Sequence, residues 1–354
     1  MGVERIGEIV REHYLTAVAR SYGSKGTDTV RTLVPTLKEI FAVLDYESIN
    51  GSLTVFQTVD PTQRPVAESE AYTLTGAEDI PVHNLGTLTI QILGNGQLLL
   101  WKKDVPPLEV SDGAIVYRFE PDKGERMWID GEERAADLPG YVHLFGIPTF
   151  LDLADALQHY SVHIARPSEC PYLTSAWRED GRVMWKAKPE ELMRLSLYQF
   201  LRSALRTGRP DIHQEAPTDA NNPVDITVRW ADSNRIAIIE VKWLGKSGVL
   251  DPPAFRKAYS ESRAQDGLRQ LASYLDLTKS RAPRYDQRGY LAVFDGRRAR
   301  VKVEDTQCTR ENGMAYVDAH ISYDQDLLDR HDVATPVRFF CEPRWVLKSP
   351  SKGG

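Results

Sequence analysis

Cysteine is scarce in this chain: Cys170, Cys308 and Cys341 are the only three in 354 residues, an odd number, widely spaced and without a CxxC pair. That excludes a disulfide framework and a zinc knuckle, and it fits a reducing cytoplasm. Long apolar runs are missing too, none approaching the roughly 18 to 20 residues that span a bilayer. The segment MGVERIGEIVREHY places Glu4, Arg5, Glu8, Arg11 and Glu12 where a signal peptide needs an apolar stretch, and Ile6 stands where a myristoylation motif needs Ser or Thr. The expectation is a cytoplasmic chain, neither secreted nor embedded in a membrane. An overall basic charge is also lacking: the formal net charge is -6, so the surface as a whole is no coat for a polyanion. No internal repeat is visible. Hydrophobic residues at 42%, charged residues at 27%, 24 Gly and 21 Pro are ordinary values that exclude collagen-like and wholly disordered chains. The length suits two or three domains at about 100 to 200 residues each.

The charge is unevenly divided. Residues 186–306 hold 22 Lys and Arg against 16 Asp and Glu, whereas residues 1–185 hold 16 against 27. An acidic half joined to a basic segment points to modules with different partners, the basic one suited to a polyanion; uneven sampling of surface charge is the plain alternative.

Apolar spacing predicts helices over residues 3–21 and 34–44, the second behind Pro35. From Gly51 the short runs SLTVFQTV, LGTLTIQIL, QLLLWKK, AIVYRFE and RMWIDG, separated by Asn95-Gly96, Asp112-Gly113, Lys123-Gly124 and Asp130-Gly131, predict a β-rich meander. Residues 149–164 read as a helix, and 166–182 as a connector. The first domain is therefore expected at 1–180, as an acidic α+β unit. Beyond it come a helix from Pro189 to Arg206, strands VDITVRW and RIAIIEVKW, a helical region from Asp251-Pro252-Pro253 to about Leu275, and the strand GYLAVF. Helix, hairpin, helix and strand in that order predict an α/β unit with a mixed sheet over 186–306, followed by an extension at 307–354 that adds a strand near 337–341 or a helix to the same core.

The hairpin carries the chemistry. With Asp232-Ser233 as a two-residue loop, Ala231 faces Asn234, Arg229 faces Ile236, Thr227 faces Ile238 and Asp225 faces Glu240. Directly opposed residues have Cβ atoms about 4.5 to 5.5 Å apart, within common reach of one hard divalent cation. Period two adds Lys242 to that face and turns Ile239, Val241 and Trp243 away. An acidic pair beside an ammonium, at the end of an apolar strand, is costly as decoration. As a site, the carboxylates would hold Mg²⁺ or Mn²⁺ and Lys242 would position or deprotonate an attacking water. A cross-strand salt bridge between Lys242 and Asp225 on a solvated face is the structural alternative.

Asp225 on one strand followed by Glu240-Val-Lys242 on the next resembles the PD-(D/E)XK phosphodiesterase superfamily, the restriction-endonuclease-like and RecB-like nucleases. Val224 precedes Asp225 where the pattern has Pro, and Pro223 stands one position earlier. The resemblance implies a helix Glu, which is Glu190 or Glu191; Glu190 is favoured because Leu192, Met193 and Leu197 then bury the helix face. Gln270-Leu-Ala-Ser-Tyr274 resembles the family's QxxxY helix, whose residues help arrange the site and contact nucleic acid; a partly exposed amphipathic helix face is the other reading. Arg263 and Arg269 belong to a cluster of basic residues, with Arg256, Lys257, Arg281, Arg284, Arg288, Arg297, Arg298 and Arg300, suited to phosphate contacts. The resemblance covers about a third of the chain and implies a restriction-endonuclease-like fold and a Mg²⁺- or Mn²⁺-dependent nuclease. DNA is the expected substrate, with RNA left open, in a prokaryotic restriction or anti-phage setting. The first half would bind a partner protein or a small signal, or shield the basic segment; a homo-oligomer is expected. A non-catalytic binding or assembly module that kept the fold is the alternative from another class, and a regulatory protein whose first half gates the nuclease is a third.

Other motifs are set aside. Gly245-Lys246-Ser247 lacks the upstream Gly of a P-loop, since position 240 is Glu. His159 and His163 are one turn apart, but HYSVH lacks the Glu of HExxH and reads as a helix surface. Asp324, Asp326, Asp329 and Asp332 lack the central Gly and terminal Glu of an EF-hand and read as a solvated acidic helix.

Overall fold

The computed structural model describes residues 3–81, 86–134, 145–146, 149–206, 208–216 and 224–345. The chain divides into two compact units, Met1–Pro148 with Asp232–Asn234, and Thr149–Ala231 with Arg235–Gly354. Among the described residues no helix is long and apolar enough to cross a membrane.

In the first unit α1 (Val3–Val43) is helical on both sides of Gly23, whose φ of 60° and ψ of -141° interrupt it. The second stretch starts directly after Gly23 and carries Pro35 inside it, whereas Pro35 was expected near its start. The hydroxyls of Thr27, Thr29, Thr32 and Thr36 turn back to carbonyls of the preceding turn, which makes this β-branched stretch compatible with a helix.

Seven strands follow: β1 (Leu53–Thr58), β2 (Tyr72–Leu74), β3 (Leu88–Ile92), β4 (Leu98–Trp101), β5 (Ala114–Glu120, after the single turn α2, Pro107–Val110), β6 (Gly124–Ile129) and β7 (Glu132–Arg134). Their order is β2-β4-β3-β1-β5-β6-β7, and β1 runs parallel to β3 with Leu53 opposite Leu88, so the sheet is not a simple meander. Alternation divides its faces. Leu53, Val55, Ile90, Ile115 and Tyr117 pack against Leu33, Leu37 and Phe41 of α1, while Phe56, Trp101, Val116 and Trp128 form a core on the other side. Asp130 (φ 55°) and Gly131 (φ 74°) form the tight turn that sets Ile129 opposite Glu132.

The second unit contains α3 (Phe150–Tyr160), α4 (Pro171–Ala176), α5 (Glu190–Ala204), β8 (Pro210–Ala216), β9 (Val224–Trp230), β10 (Arg235–Leu250), β11 (Pro253–Tyr259), α6 (Glu261–Arg281), β12 (Asp286–Asp295), α7 (Arg310–Met314), α8 (Gln325–Leu328) and β13 (Val337–Phe340). The sheet order is β13-β12-β10-β9-β8, with β11 paired to the far end of β10. β8, β9 and β10 are antiparallel neighbours, whereas β12 and β13 run parallel to β10, which makes the sheet mixed. Ile226, Val228, Ile239, Val241 and Phe294 face Leu153, Leu157, Leu197 and Leu201 of α3 and α5. Ile238, Leu291 and Val293 face Leu268, Leu271 and Leu275 of α6. The result is three layers, helix on sheet on helix.

Several expectations are corrected here. The first unit ends at Pro148, short of residue 180, because Phe150, Leu153, Leu157 and Tyr160 are buried in the core of the second. The segment 166–182 is no loose connector: Arg178 is buried and donates to the carbonyls of Val303 and Asp305. Residues 253–259 are strand, not helix, since the long β10 offers an edge that they pair with from Gly245↔Tyr259 to Leu250↔Pro253; the helix begins at Glu261. Asp324–Asp332 holds a single helical turn, and Asp332 is buried on Gln287 and Arg330. Pro223 lies outside the described residues.

Candidate active site

The run IAIIEVKW is apolar enough to be a central strand, and it becomes one, flanked by β9 and β12. Its pairing with β9 sets Arg229 opposite Ile236 and Thr227 opposite Ile238, around a four-residue turn, Ala231 to Asn234, in place of the expected two-residue loop. The ladder ends at Ile226↔Ile239. At the next position Asp225 substitutes a side-chain contact for ladder hydrogen bonds: the Val241 amide donates to its Oδ2 at 2.8 Å. Asp225 and Glu240 thus stand side by side at the point where the two strands part.

Glu240 is completely buried and Lys242 is 3% exposed. The Lys242 ammonium bonds Oε1 of Glu240, whereas Oε2 of Glu240 is buried without a hydrogen-bond partner. Burial, reinforced by the charge of Asp225, pushes the Glu240 carboxyl up to about 8, against the opposing pull of Lys242. The expected alternative, a solvated bridge from Lys242 to Asp225, is not what forms. Lys242 pairs along its own strand, in the core.

Two helices supply the periphery. Pro189 leads into α5, whose first turn carries Glu190, half-buried, and Glu191, exposed. Glu190 receives Arg263 Nη2 of α6 at 3.4 Å. One turn further along α5, Arg194 Nη1 lies 3.1 Å from Asp225 Oδ1. On α6, Gln270 Nε2 donates to the Tyr274 phenol at 2.6 Å. Burial raises the Tyr274 phenol, and the charges of Glu240 and Asp225 add to the shift, so the pair lies within the field of the carboxylates. Tyr274 is only 3% exposed, which removes its ring from the direct nucleic-acid contact expected of it. Arg269 is exposed and paired with Asp266 on its own helix.

Of the wider basic cluster, Arg297 and Arg298 are buried: Arg297 on Asp295 and Glu261, Arg298 on the carbonyls of Arg182 and Cys341. They are structural, not a phosphate surface. Gly245, Lys246 and Ser247 lie within β10, and His159 and His163 are exposed with their rings 4.4 Å apart.

Sequence reading missed Arg194 and Gly267. Arg194 lies one turn from Glu190, but its reach to Asp225 depends on how α5 lies against the sheet. Gly267 sits where α6 crosses Lys242, and nothing in its neighbours signals that crossing.

The oxygen donors of Asp225 and Glu240 suit a hard divalent cation, and the partnerless Oε2 of Glu240 is a buried acceptor of the kind such an ion satisfies. Among the described residues no group of three or more His, Cys, Asp or Glu is assembled around a single metal position. Asp225 and Glu190 are instead engaged by arginines. No protein-family model, no curated protein and no solved structure matches this chain.

Proposed function

We propose that the chain is a divalent-cation-dependent nuclease of the PD-(D/E)XK type, with a restriction-endonuclease-like second unit and DNA as its substrate. The observation that carries this reading is the convergence of Asp225, Glu240 and Lys242 at the parting of β9 and β10, with one buried carboxylate oxygen left without a partner. The order α5, antiparallel β8 to β10, α6 and parallel β12 supports it.

Asp225 and Glu240 would hold Mg²⁺ or Mn²⁺, with Glu190 at the rim. Bound there, the cation supplies Lewis acidity toward a phosphate oxygen and a water of lowered pKa. The Val241 amide fixes Asp225, and the Gly267 crossing confines Lys242 against Glu240, so that the ammonium is held where an attacking water and the charge growing on phosphate meet. The first unit serves as an accessory domain for a partner or a signal, in a prokaryotic defence setting.

The test is incubation of the purified protein with linear and circular plasmid, single-stranded DNA and RNA, in Mg²⁺, Mn²⁺ or EDTA, beside Lys242→Ala. Metal-dependent degradation that the variant loses is the expected result, and cleavage of circles marks an endonuclease. Metal-independent binding that Glu240→Ala and Lys242→Ala leave untouched would instead identify a non-catalytic module.

A further inference from the structure

Each carboxylate of the candidate metal site is held by a cation of the chain itself: Asp225 by Arg194 at 3.1 Å, Glu190 by Arg263 at 3.4 Å, and Glu240 by Lys242. The cations differ in how far they can move. The Lys242 side chain is 4% exposed, whereas those of Arg194 and Arg263 are 17% and 30% exposed. Arg194 also stands one turn from Glu190 on α5, where an ordinary helical ion pair was open to it, yet it reaches across to Asp225 and leaves Glu190 to α6.

Glu240 and Arg263 each carry an atom that lacks the partner its chemistry demands. Glu240 Oε2 is a buried acceptor with no donor, and Arg263 Nε is a buried donor with no acceptor. The first suits a cation and the second an anion. A divalent ion entering between Asp225 and Glu240 would compete with Arg194 for the oxygens of Asp225 and repel the guanidinium at short range. A displaced guanidinium regains the donor it had given to the carboxylate, and its planar fork matches two oxygens of a phosphate.

We propose that Arg194 and Arg263 are exchangeable counter-ions: they neutralise Asp225 and Glu190 in the metal-free protein and, displaced when the cation binds, grip the phosphate oxygens of the nucleic-acid strand. This rests on the nuclease reading of the same site. It makes the two arginines substrate-binding residues: metal entry frees the groups that hold the substrate, and an empty site binds nucleic acid weakly.

The test separates metal from substrate. Mn²⁺ alone is titrated calorimetrically into the full-length protein and into Arg194→Ala, Arg194→Lys and Arg263→Ala, and a fluorescent single-stranded DNA is titrated with and without Ca²⁺. Loss of one charge-assisted competitor should tighten Mn²⁺ binding in each alanine variant by about tenfold while weakening Ca²⁺-dependent DNA binding by about tenfold. Arg194→Lys, which keeps the charge and loses the fork, should leave Mn²⁺ affinity near native and still weaken DNA binding. A purely structural brace predicts the opposite sign for the metal: if both alanine variants bind Mn²⁺ no better than the native chain, the inference is overturned while the nuclease reading stands. If the native chain binds no Mn²⁺, both fall. Arg263→Ala removes the more exposed of the two arginine side chains and serves as the second arm should Arg194→Ala fail to fold.

Discussion

Gly267 of α6 lies so close over Lys242 of β10 that a Cβ built on it would fall 2.6 Å from the lysine Cγ and 3.0 Å from a methyl of Leu291. The helix can descend onto the strand only because that position has no side chain. In an exposed helix Gly→Ala would stabilise by about 0.5 to 1 kcal/mol. Here Gly267→Ala must push α6 or Lys242 aside, and the expected outcome is a loss of about 1 to 3 kcal/mol in urea unfolding, as for overpacked cores, with a fall in turnover if the proposed nuclease activity is present. A variant as stable as the native chain would show that the crossing has slack.

Lys242→Met keeps the packing of the stem and removes the charge beside Glu240. On the proposed nuclease function, the expected outcome is a drop in the cleavage rate of about a hundredfold or more, the scale of a lost acid–base or charge-stabilising group, with Mn²⁺ binding retained because Asp225 and Glu240 are intact. Calorimetry and a plasmid assay on the same preparation check both halves of the statement.

Asp295 is fully buried at the end of β12 and accepts from the Arg297 amide at 3.0 Å, the Arg297 guanidinium at 2.8 Å and Arg338 at 2.7 Å. Arg338 in turn donates to the carbonyls of Val317 and Ala319, tying the C-terminal segment to the sheet. Removing the carboxylate in Asp295→Ala leaves Arg297 with Glu261 and takes from Arg338 its carboxylate partner, at a cost of about 3 to 5 kcal/mol by urea unfolding. A loss below about 1 kcal/mol would mean the arginines find other acceptors.

What the sequence revealed and what it hid divide along physical lines. Strand parity was legible in β9 and β10, because period two is obligatory in a strand: Glu240 and Lys242 fall on one face while Ile239, Val241 and Trp243 join the core on the other. β7 and β11 were not legible, since Glu132-Glu133-Arg134 and Pro253–Tyr259 carry no apolar alternation; neighbouring strand edges recruit them. Nor was the domain boundary, because the connector from Arg166 to Arg182 has loop composition and is fixed by buried Arg178, whose acceptors on Val303 and Asp305 are distant in sequence, and by buried Arg182, which closes the connector back on the Pro167 carbonyl. The site followed the same rule. Residues set by local period were found, while Arg194 and Gly267 depend on how α5 and α6 lie across the sheet.

The three thiols give a check on the fold that needs no activity. Cys341 is completely buried, and burial pushes its thiol up to about 12; burial also raises Cys308, which stands half-exposed. The thiolate is the reactive form, so iodoacetamide at pH 8 should leave Cys341 unmodified in the native protein and label it only at the unfolding transition. Prompt labelling of Cys341, read by peptide mass, would contradict the packing of β13.

The raised carboxyl of Glu240 gives a pH signature with a definite sign. In the metal-free fold burial keeps this group protonated until about pH 8, whereas in the unfolded chain it ionises near the ordinary value of 4.5. The unfolded state therefore gives up its proton first as pH rises. The stability linked to this group is full below about pH 4.5 and is lost progressively as pH climbs through 8, a loss of the order of a few kcal/mol. Glu240→Gln has nothing to ionise. In EDTA it should match the native chain near pH 5 and exceed it in melting temperature near pH 9, although it lacks a residue of the proposed site. Mg²⁺ should reverse that order by stabilising the ionised native carboxylate and not the amide. If native and Glu240→Gln differ in melting temperature by the same amount at both pH values in EDTA, Glu240 is not held protonated. If Mg²⁺ fails to raise the native melting temperature at pH 9, the buried carboxylate is not a metal ligand.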